Sequence, residues 1–332
     1  MKITVLMGGT SSERNVSLAS GIRIVQALRS KGHKVVALDP ARGVIDTAGE
    51  KVLSSGKVGT KPPSLESLLK VAEGSFLPNL TSMKEITGAD VVFLGLHGGQ
   101  GEDGTIQALL DMAAVKYTGS GHLASALAMD KDLSKKLFRA ADVTTADWLM
   151  APVSVEQVEG ILGLPVVVKP SKEGSTVGLS LVKKREEIQP AITEALKFDN
   201  EVMIERFVPG RELTVGVLGD VALPVGEIIP KHEIYDYECK YTAGMAVEEF
   251  PAKISPKATE QVQHQALAAF KSLKLKGCAR IDFRLTSDGE FYCLEANTLP
   301  GMTELSLIPQ GAAAMGIGFP ELCERIAKLA LE

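Results

Sequence analysis

The chain of 332 residues is 45% hydrophobic and 23% charged, with a formal net charge of -5. That length allows two or three domains and a large buried core, while the slight acidity gives no reason to expect a nucleic acid or an anionic membrane as partner. No apolar run approaches the roughly 18 residues of a membrane helix, the opening MKITVLMGG is too short in apolar residues for a signal peptide, and the four cysteines show neither CxxC pairing nor a nearby His cluster, so a cytoplasmic chain with reduced, packed thiols is expected.

In chain order, a strand over 3–7, a helix over 17–30 and a strand over 34–38 make a βαβ opening of the doubly wound α/β kind. Its first turn, GGTSSER, lies at the carboxyl end of a strand, where open α/β sheets bind ligands, but it carries neither GxGxxG nor GxxxxGK[ST]. Glu13 in that turn is a site candidate; equally, it is an acid favourable to the dipole of the helix that follows. Residues 41–88 read as surface helices and loops. A strand over 90–96 then leads into HGGQGEDG, where His97 is a second candidate, and a helix over Thr105–Met112 follows.

From residue 122 the pattern becomes helical through MDKDLSKKLFRAADV, then a strand over 166–169 precedes the polar loop PSKEGSTVG. Two glycines, two hydroxyls and Lys169 suit a phosphate cradle to which Lys131 adds charge; a mobile hairpin is the plainer reading. Strands over 201–208 and Arg211–Leu218 bring Glu205 and Glu212, suited to accept from an adenine amino group and a ribose hydroxyl. KHEIYDYECKY has no clean period and reads as a covering loop. An amphipathic helix over 258–274 precedes a hairpin, and a helix over 310–331 closes the chain.

The hairpin is the most informative stretch. Asp288-Gly289 between two apolar runs predicts a two-residue turn that pairs Ser287 with Glu290. Asp282 then falls opposite Glu295 and Arg280 opposite Asn297 on one face, with Ile281, Phe283 and Leu285 facing Ala296, Leu294 and Tyr292 on the other. Two carboxylates so opposed stand about 5 Å apart at Cβ and repel. Either Arg280 or Arg284 neutralises them or a divalent cation sits between them. Asn297 as a third oxygen ligand, with an irregular loop around Gly301 after it, shifts the balance toward a magnesium-and-phosphate site.

Assembled, the segments GGTSSER, HGGQGEDGT, MDK, VVVKPSKEGSTVG, YDYECKY, RIDF and LEANTLPGMTELSL occur in an order and spacing that resembles the D-alanine:D-alanine ligase family of the ATP-grasp superfamily, over essentially the whole chain. The resemblance implies an ATP-grasp fold, α/β with α+β character in the carboxyl-terminal half: an amino-terminal doubly wound α/β domain over 1–121, a central subdomain over 122–209 and a carboxyl-terminal domain with the metal site over 210–332. It implies ATP-dependent joining of two D-alanine molecules through an acyl phosphate, releasing ADP and phosphate, for peptidoglycan precursor synthesis. Mg²⁺ or Mn²⁺, two ions per site, and a homodimer come with it.

Carried over position by position, the resemblance makes Asp282, Glu295 and Asn297 the metal ligands. Lys131, Lys169 and Lys240 meet the phosphates under a lid that includes Glu173, Gly174, Ser175 and Thr176, while Glu205, the backbone at Val208 and Glu212 take adenine and ribose. Glu13 holds the first D-alanine's ammonium with His97 nearby, and Ser175 and Tyr241 link Glu13 to the closed loop. Arg280 and the Gly301 amide form the oxyanion site, and Ser306 and Leu307 receive the second carboxylate. Asn15, Leu299 and residues 41–88 depart from some relatives. A depsipeptide-forming or D-serine-using ligase is the nearest rival, against which Tyr241 argues; a non-catalytic module on the same fold would have lost metal or lysine positions.

Overall fold

The computed structural model describes residues 1–332 except 56–62, 74–76, 236–238, 241 and 243. The apolar runs near residues 3 and 91 lack alternation because both faces are covered. They form β1 (Lys2–Leu6) and, later, β4 (Val91–Leu94), with α1 (Arg14–Ser30), β2 (Lys34–Asp39), β3 (Gly43–Val44), α2 (Thr47–Ser55), α3 (Leu65–Glu73) and α4 (Lys84–Thr87) between them. The sheet order is β3-β2-β1-β4, with β1 parallel to β2 and β4. α1 begins at Arg14 rather than at residue 17. The Arg14 guanidinium is drawn in by Asp39 at the end of β2, 2.5 Å away and buried with it, and this tether winds the turn back toward Glu13. α5 (Thr105–Met112) follows β4 as expected.

The helical stretch after residue 122 divides into α6 (His122–Met129) and α7 (Lys131–Ala140). Asp130 leaves the helix and caps α7, its side chain accepting the Leu133 amide at 3.0 Å, which makes Lys131 the first helical residue. β5 (Trp148–Met150), α8 (Val155–Ile161), β6 (Val166–Pro170), β7 (Ser180–Val182), α9 (Ile188–Ala195) and β8 (Val202–Arg206) then build an antiparallel sheet of order β5-β8-β6-β7. Its own core holds Val158, Val166, Val168, Ile188 and Ile204.

The third sheet runs β12-β11-β9-β13-β14, with β10 on β9. Its elements are β9 (Arg211–Leu218), β10 (Val221–Ala222), β11 (Gly226–Pro230), β12 (Ala246–Glu249), α10 (Pro256–Ser272), β13 (Cys278–Leu285) and β14 (Phe291–Asn297). α10 starts earlier than residue 258 because Ser255 caps it and Pro256 opens its first turn.

The β13–β14 hairpin corrects the two-residue turn. Gly289, at φ +90, donates to the Thr286 carbonyl at 3.1 Å, and Thr286 donates to the Glu290 carbonyl at 3.0 Å. This is a turn of three residues closed by a left-handed glycine, so Ser287 does not pair with Glu290, and Leu285 meets Phe291 and Phe283 meets Cys293 in place of Tyr292 and Leu294. A bulge between Asp282 and Phe283 absorbs Leu294 and restores Ile281 opposite Ala296, Asp282 opposite Glu295 and Arg280 opposite Asn297. Two deviations cancel. The apolar face is correspondingly Phe291, Cys293 and Ala296, all buried, and the bulge turns Leu294 and Glu295, successive in sequence, to the same cleft. Phe283 is fully buried in this core; Phe283→Ala is expected to cost about 3–5 kcal/mol, measured by urea unfolding, and a cost below about 1 kcal/mol would mean the hairpin's apolar face is not what holds it.

The expected closing helix is two, α11 (Leu307–Ala313) and α12 (Phe319–Leu329), parted where the chain turns at Gly316. α12 lies on the amino-terminal layer, its Leu322 and Ile326 sharing one core with Ile24, Val25 and Leu28 of α1. Ala124, Ala128 and Phe138 of α6 and α7, in turn, join the core of the third sheet. The three spans therefore divide the chain more sharply than they divide its cores. All four cysteines are buried, and no described helix is long and apolar enough to cross a membrane.

Candidate active site

Two chambers meet beneath the loop after β6. The inner, about 140 Å³, lies between the second and third sheets, with Val167, Leu179, Phe207, Ile228 and Leu294 among its apolar walls. The outer, about 620 Å³, reaches Glu13 and His97 on one side and Gly301, Ser306 and Leu307 on the other. Lys131, Glu173, Gly174, Ser175, Lys240, Arg280 and Glu295 line both.

Glu205 is buried at the inner end. Lys169 donates to its Oε2 at 2.7 Å and Lys135 to its Oε1. Burial opposes charge there, yet the two ammoniums override it and hold the carboxyl at about 2. Glu212 is raised by its burial despite Arg284 at 3.2 Å, and Arg284 Nε also donates to the Val208 carbonyl at 3.1 Å. The residues expected around adenine and ribose thus come together on one wall, with Glu205 and the Val208 carbonyl already engaged by cations.

Asp282 and Glu295 are opposed as expected, but protein cations already meet their charge. Arg280 grips Asp282 through Nε and Nη2, both at 2.9 Å, Thr214 adds its hydroxyl at 2.7 Å, and Lys131 Nζ stands 3.5 Å from Glu295 while donating to the Glu173 carbonyl at 2.8 Å. Burial would push Glu295 up; Lys131, Lys240, Lys169 and Arg280 hold it at about 2. Repulsion alone therefore does not demand a metal, and the fit for magnesium rests on Asn297. Its Oδ1 is buried without a hydrogen-bond partner, an orphaned hard acceptor on the same strand face as an ionised carboxylate. Among the described residues no three His, Cys, Asp or Glu converge, so the donor set is two carboxylates and an amide, of the kind that phosphate oxygens complete. The residues fit the ion.

Glu13 occupies the cap position of α1 without capping it. Its carboxylate instead accepts the Ser175 hydroxyl from the loop after β6. Gly98 and Gly174 close on it from two loops, and a Cβ at either would lie 2.9 Å from Glu13 Oε2. Ser175 and Thr176 both have positive φ, +50 and +59, a backbone that side chains disfavour and that surrounding contacts must hold. Tyr241, the expected partner of Ser175, lies outside the described residues.

His97 lines the outer chamber, but both ring nitrogens are committed. Nδ1 is 2.7 Å from the Leu299 carbonyl and Nε2 is 2.9 Å from Ser20 Oγ. A carbonyl only accepts, so Nδ1 carries the proton and the Ser20 hydroxyl donates to Nε2; burial lowers the ring's pKa, in keeping with this neutral form. Ser20 Oγ accepts the Met302 amide at 3.2 Å. Glu102 completes the brace by accepting the Gly98 and Leu299 amides at 3.0 and 3.3 Å. The turn carrying Gly301 is thereby fixed by the amino-terminal layer, while Ser306 Oγ accepts the Thr303 amide at 3.0 Å just after it.

Burial and the Glu13 carboxylate push Glu102 up to about 7 from 4.5. Folding then favours its protonated form: the stability from this group is full below its unfolded value and is lost as pH rises through about 7. The stability gap between the native chain and Glu102→Gln is expected to shift by about 3 kcal/mol between pH 4.5 and about 8. Urea midpoints across that range measure it, and a gap independent of pH would mean that Glu102 titrates like an ordinary surface acid.

Sequence reading missed Ser20, Glu102, Lys135 and Thr214. Lys135 had one signal, its place one helical turn after Lys131 and so on the same face; the partners of the others are too distant in sequence to infer.

An α/β layer that braces a turn over one chamber, and two sheets that close on a cation-lined second chamber, define an enzyme of the ATP-grasp class. Residues 2–120 match the D-ala D-ala ligase N-terminus family and residues 131–328 the D-ala D-ala ligase C-terminus family. The chain belongs to the D-alanine–D-alanine ligase family. It is 41% identical over 329 residues to the D-alanine–D-alanine ligase of Geotalea uraniireducens (strain Rf4), covering 98% of this chain and 94% of that one, and 41% identical over 324 residues to that of Aquifex aeolicus (strain VF5), covering 97% and 98%. Among solved structures it resembles the D-alanine–D-alanine ligase from Bacillus anthracis complexed with ATP, at 30% identity and TM-score 0.76 over 100% of this chain and 97% of that. The VanG D-Ala:D-Ser ligase from Enterococcus faecalis superposes with TM-score 0.81 at 27% identity, covering 99% and 98%.

Proposed function

We propose that the two chambers carry out the family's reaction on one shared wall. ATP phosphorylates the carboxylate of a first D-alanine, and the amine of a second attacks the acyl phosphate, giving D-alanyl-D-alanine, ADP and phosphate for peptidoglycan precursors. The observation that carries this reading is that Lys131, Arg280 and Glu295 line both chambers, so a phosphoryl group passing between them never leaves cationic surroundings.

In this reading Glu205, the Val208 backbone and Glu212 receive adenine and ribose. Lys131, Lys169 and Lys240 offset the repulsion of two approaching anions, and Glu173, Gly174, Ser175 and Thr176 cover the phosphates. Glu13 holds the first ammonium. Arg280, whose Nη1 Asp282 does not take, meets the oxyanion together with the Gly301 amide; Ser306 and Leu307 receive the second carboxylate. Asp282, Glu295 and Asn297 would hold one or two magnesium or manganese ions, which when bound supply positive charge against the phosphates. The Ser175 loop, with Tyr241, keeps water from an intermediate it would hydrolyse. A cytoplasmic homodimer is the form proposed, which sedimentation of the pure protein tests.

The likeness to a D-Ala:D-Ser ligase makes D-serine the competing second substrate. ADP release with D-alanine alone, and with D-alanine plus D-serine or D-lactate, tests both readings. Release with D-alanine alone, coupled to dipeptide, is expected; release only when D-serine is added would move the chain to the other specificity, and none in any mixture would sink the proposal.

A further inference from the structure

Lys135 takes no part in the reaction as read above and lines neither chamber, yet it is fully buried, with 0% of its side chain exposed. It stands on α7, one turn beyond Lys131, and its ammonium has three donors to place. One goes to Glu205 Oε1, one to Thr145 Oγ1 at 2.5 Å, and the third faces the Trp148 ring, whose centroid is 5.1 Å from Nζ. Thr145 is itself held by donating to the Cys293 carbonyl at 2.7 Å. No ligand in the cleft can reach this ammonium. Stability does not explain it, because a buried ionic cluster contributes little net stability over well-packed apolar residues of the same size.

Charge does explain it. Glu205 has one ammonium on each oxygen, Lys135 behind the wall and Lys169 on the chamber side, so with both lysines protonated the cluster carries one net positive charge, and Lys169 is its only cation toward a ligand. Were Lys169 the sole partner of Glu205, the two would cancel and the chamber would offer a phosphate a neutral pair. We propose that Lys135 is a positioning residue that neutralises Glu205 from behind, so that the charge of Lys169 stays available to a nucleotide's phosphates while Glu205 keeps an acceptor for the base. This rests on the reading of the inner chamber as the nucleotide site.

The test uses the whole protein with magnesium and a non-hydrolysable ATP analogue, set against adenosine, which has no phosphate. Lys135→Met keeps length and apolar bulk without charge. It is expected to weaken the analogue at least about tenfold, because Lys169 then cancels Glu205, and to change adenosine affinity by less than about threefold. Adding Glu205→Gln, which removes the charge and keeps an oxygen acceptor, is expected to recover the analogue to within about threefold of Glu205→Gln alone. Equal losses for analogue and adenosine, or no recovery in the double variant, would make Lys135 merely structural and overturn the inference. Lys169→Ala separates this from the underlying reading: if it leaves the analogue unaffected the nucleotide is elsewhere, whereas if it weakens the analogue and Lys135→Met does not, only the role of Lys135 falls. Should Lys135→Met fail to fold, the double variant, which removes the buried carboxylate together with the lysine behind it and leaves of the three charges only Lys169, on the chamber side, is compared with Glu205→Gln; a gap in analogue affinity beyond about threefold would show the Lys135 charge acting on phosphate directly and likewise overturn the inference.

Discussion

Glu295→Gln is expected to lower turnover by at least about a thousandfold, equivalent to about 4 kcal/mol of barrier, while leaving the protein folded. Nothing apolar changes, since Phe291, Cys293 and Ala296 on the opposite face of β14 stay buried. What changes is the anion that Lys131, Lys240, Lys169 and Arg280 together hold ionised, beside the orphaned Asn297 Oδ1. A glutamine is nearly isosteric but cannot balance those cations or hold a hard divalent ion as a carboxylate does. ADP release gives the rate, and circular dichroism with a urea melt checks the fold. Turnover near the native value would mean that the carboxylate is structural and that the cations of the cleft balance something else.

Glu13→Gln is expected to weaken the first D-alanine subsite about ten- to a hundredfold, the worth of a charge-assisted hydrogen bond, with the second subsite and ATP much less affected. The substitution is clean because glutamine keeps an oxygen for the Ser175 hydroxyl, so the contact between the α1 turn and the loop after β6 survives while the charge goes. Rates over a range of D-alanine concentrations, fitted to two sites, separate the subsites. A small loss of stability with both subsites unchanged would return Glu13 to the role of a helix-terminal acid, and an effect confined to the weaker subsite would misplace the first substrate.

The pairing of Asp282 with Glu295 was legible in the sequence, but partly through compensation. The turn at Asp288-Gly289 is longer than the dipeptide suggests, and the bulge at Leu294 takes the slip out again. No periodicity argument detects that, because a bulge is decided by packing on the far face and by which side chain the cleft admits. The strands and most helices were legible for the ordinary reason that apolar period matches burial. Breaks at Asp130 and Gly316 were not, since a cap and a turn interrupt the chain without disturbing the apolar pattern. Within the site, the sequence revealed chemistry better than partnership. Glu205, Lys169, Asp282 and Arg280 were all singled out, yet the bonds that engage Glu205 with Lys135 and Lys169 span 70 and 36 residues, and one-dimensional reasoning has no distance to measure them with. His97 is the sharpest case, a loop histidine singled out by position that lines the outer chamber, while its two nitrogens tie Ser20 to Leu299 in a brace the sequence did not reveal.

The union of α1 with α12 bears on how the molecule comes to exist. Leu322 and Ile326 complete the core to which Ile24, Val25 and Leu28 belong, and Glu324 reaches back to His33, 291 residues earlier. A ribosome delivers the first of these helices long before the second, so the amino-terminal layer is begun well before α12 arrives to cover it, its α1 flank bare in the interval. A fragment ending at residue 121 lacks the α12 residues that cover that flank, and when expressed alone it is expected to associate or to bind a hydrophobic dye, as the chain of 332 residues does not.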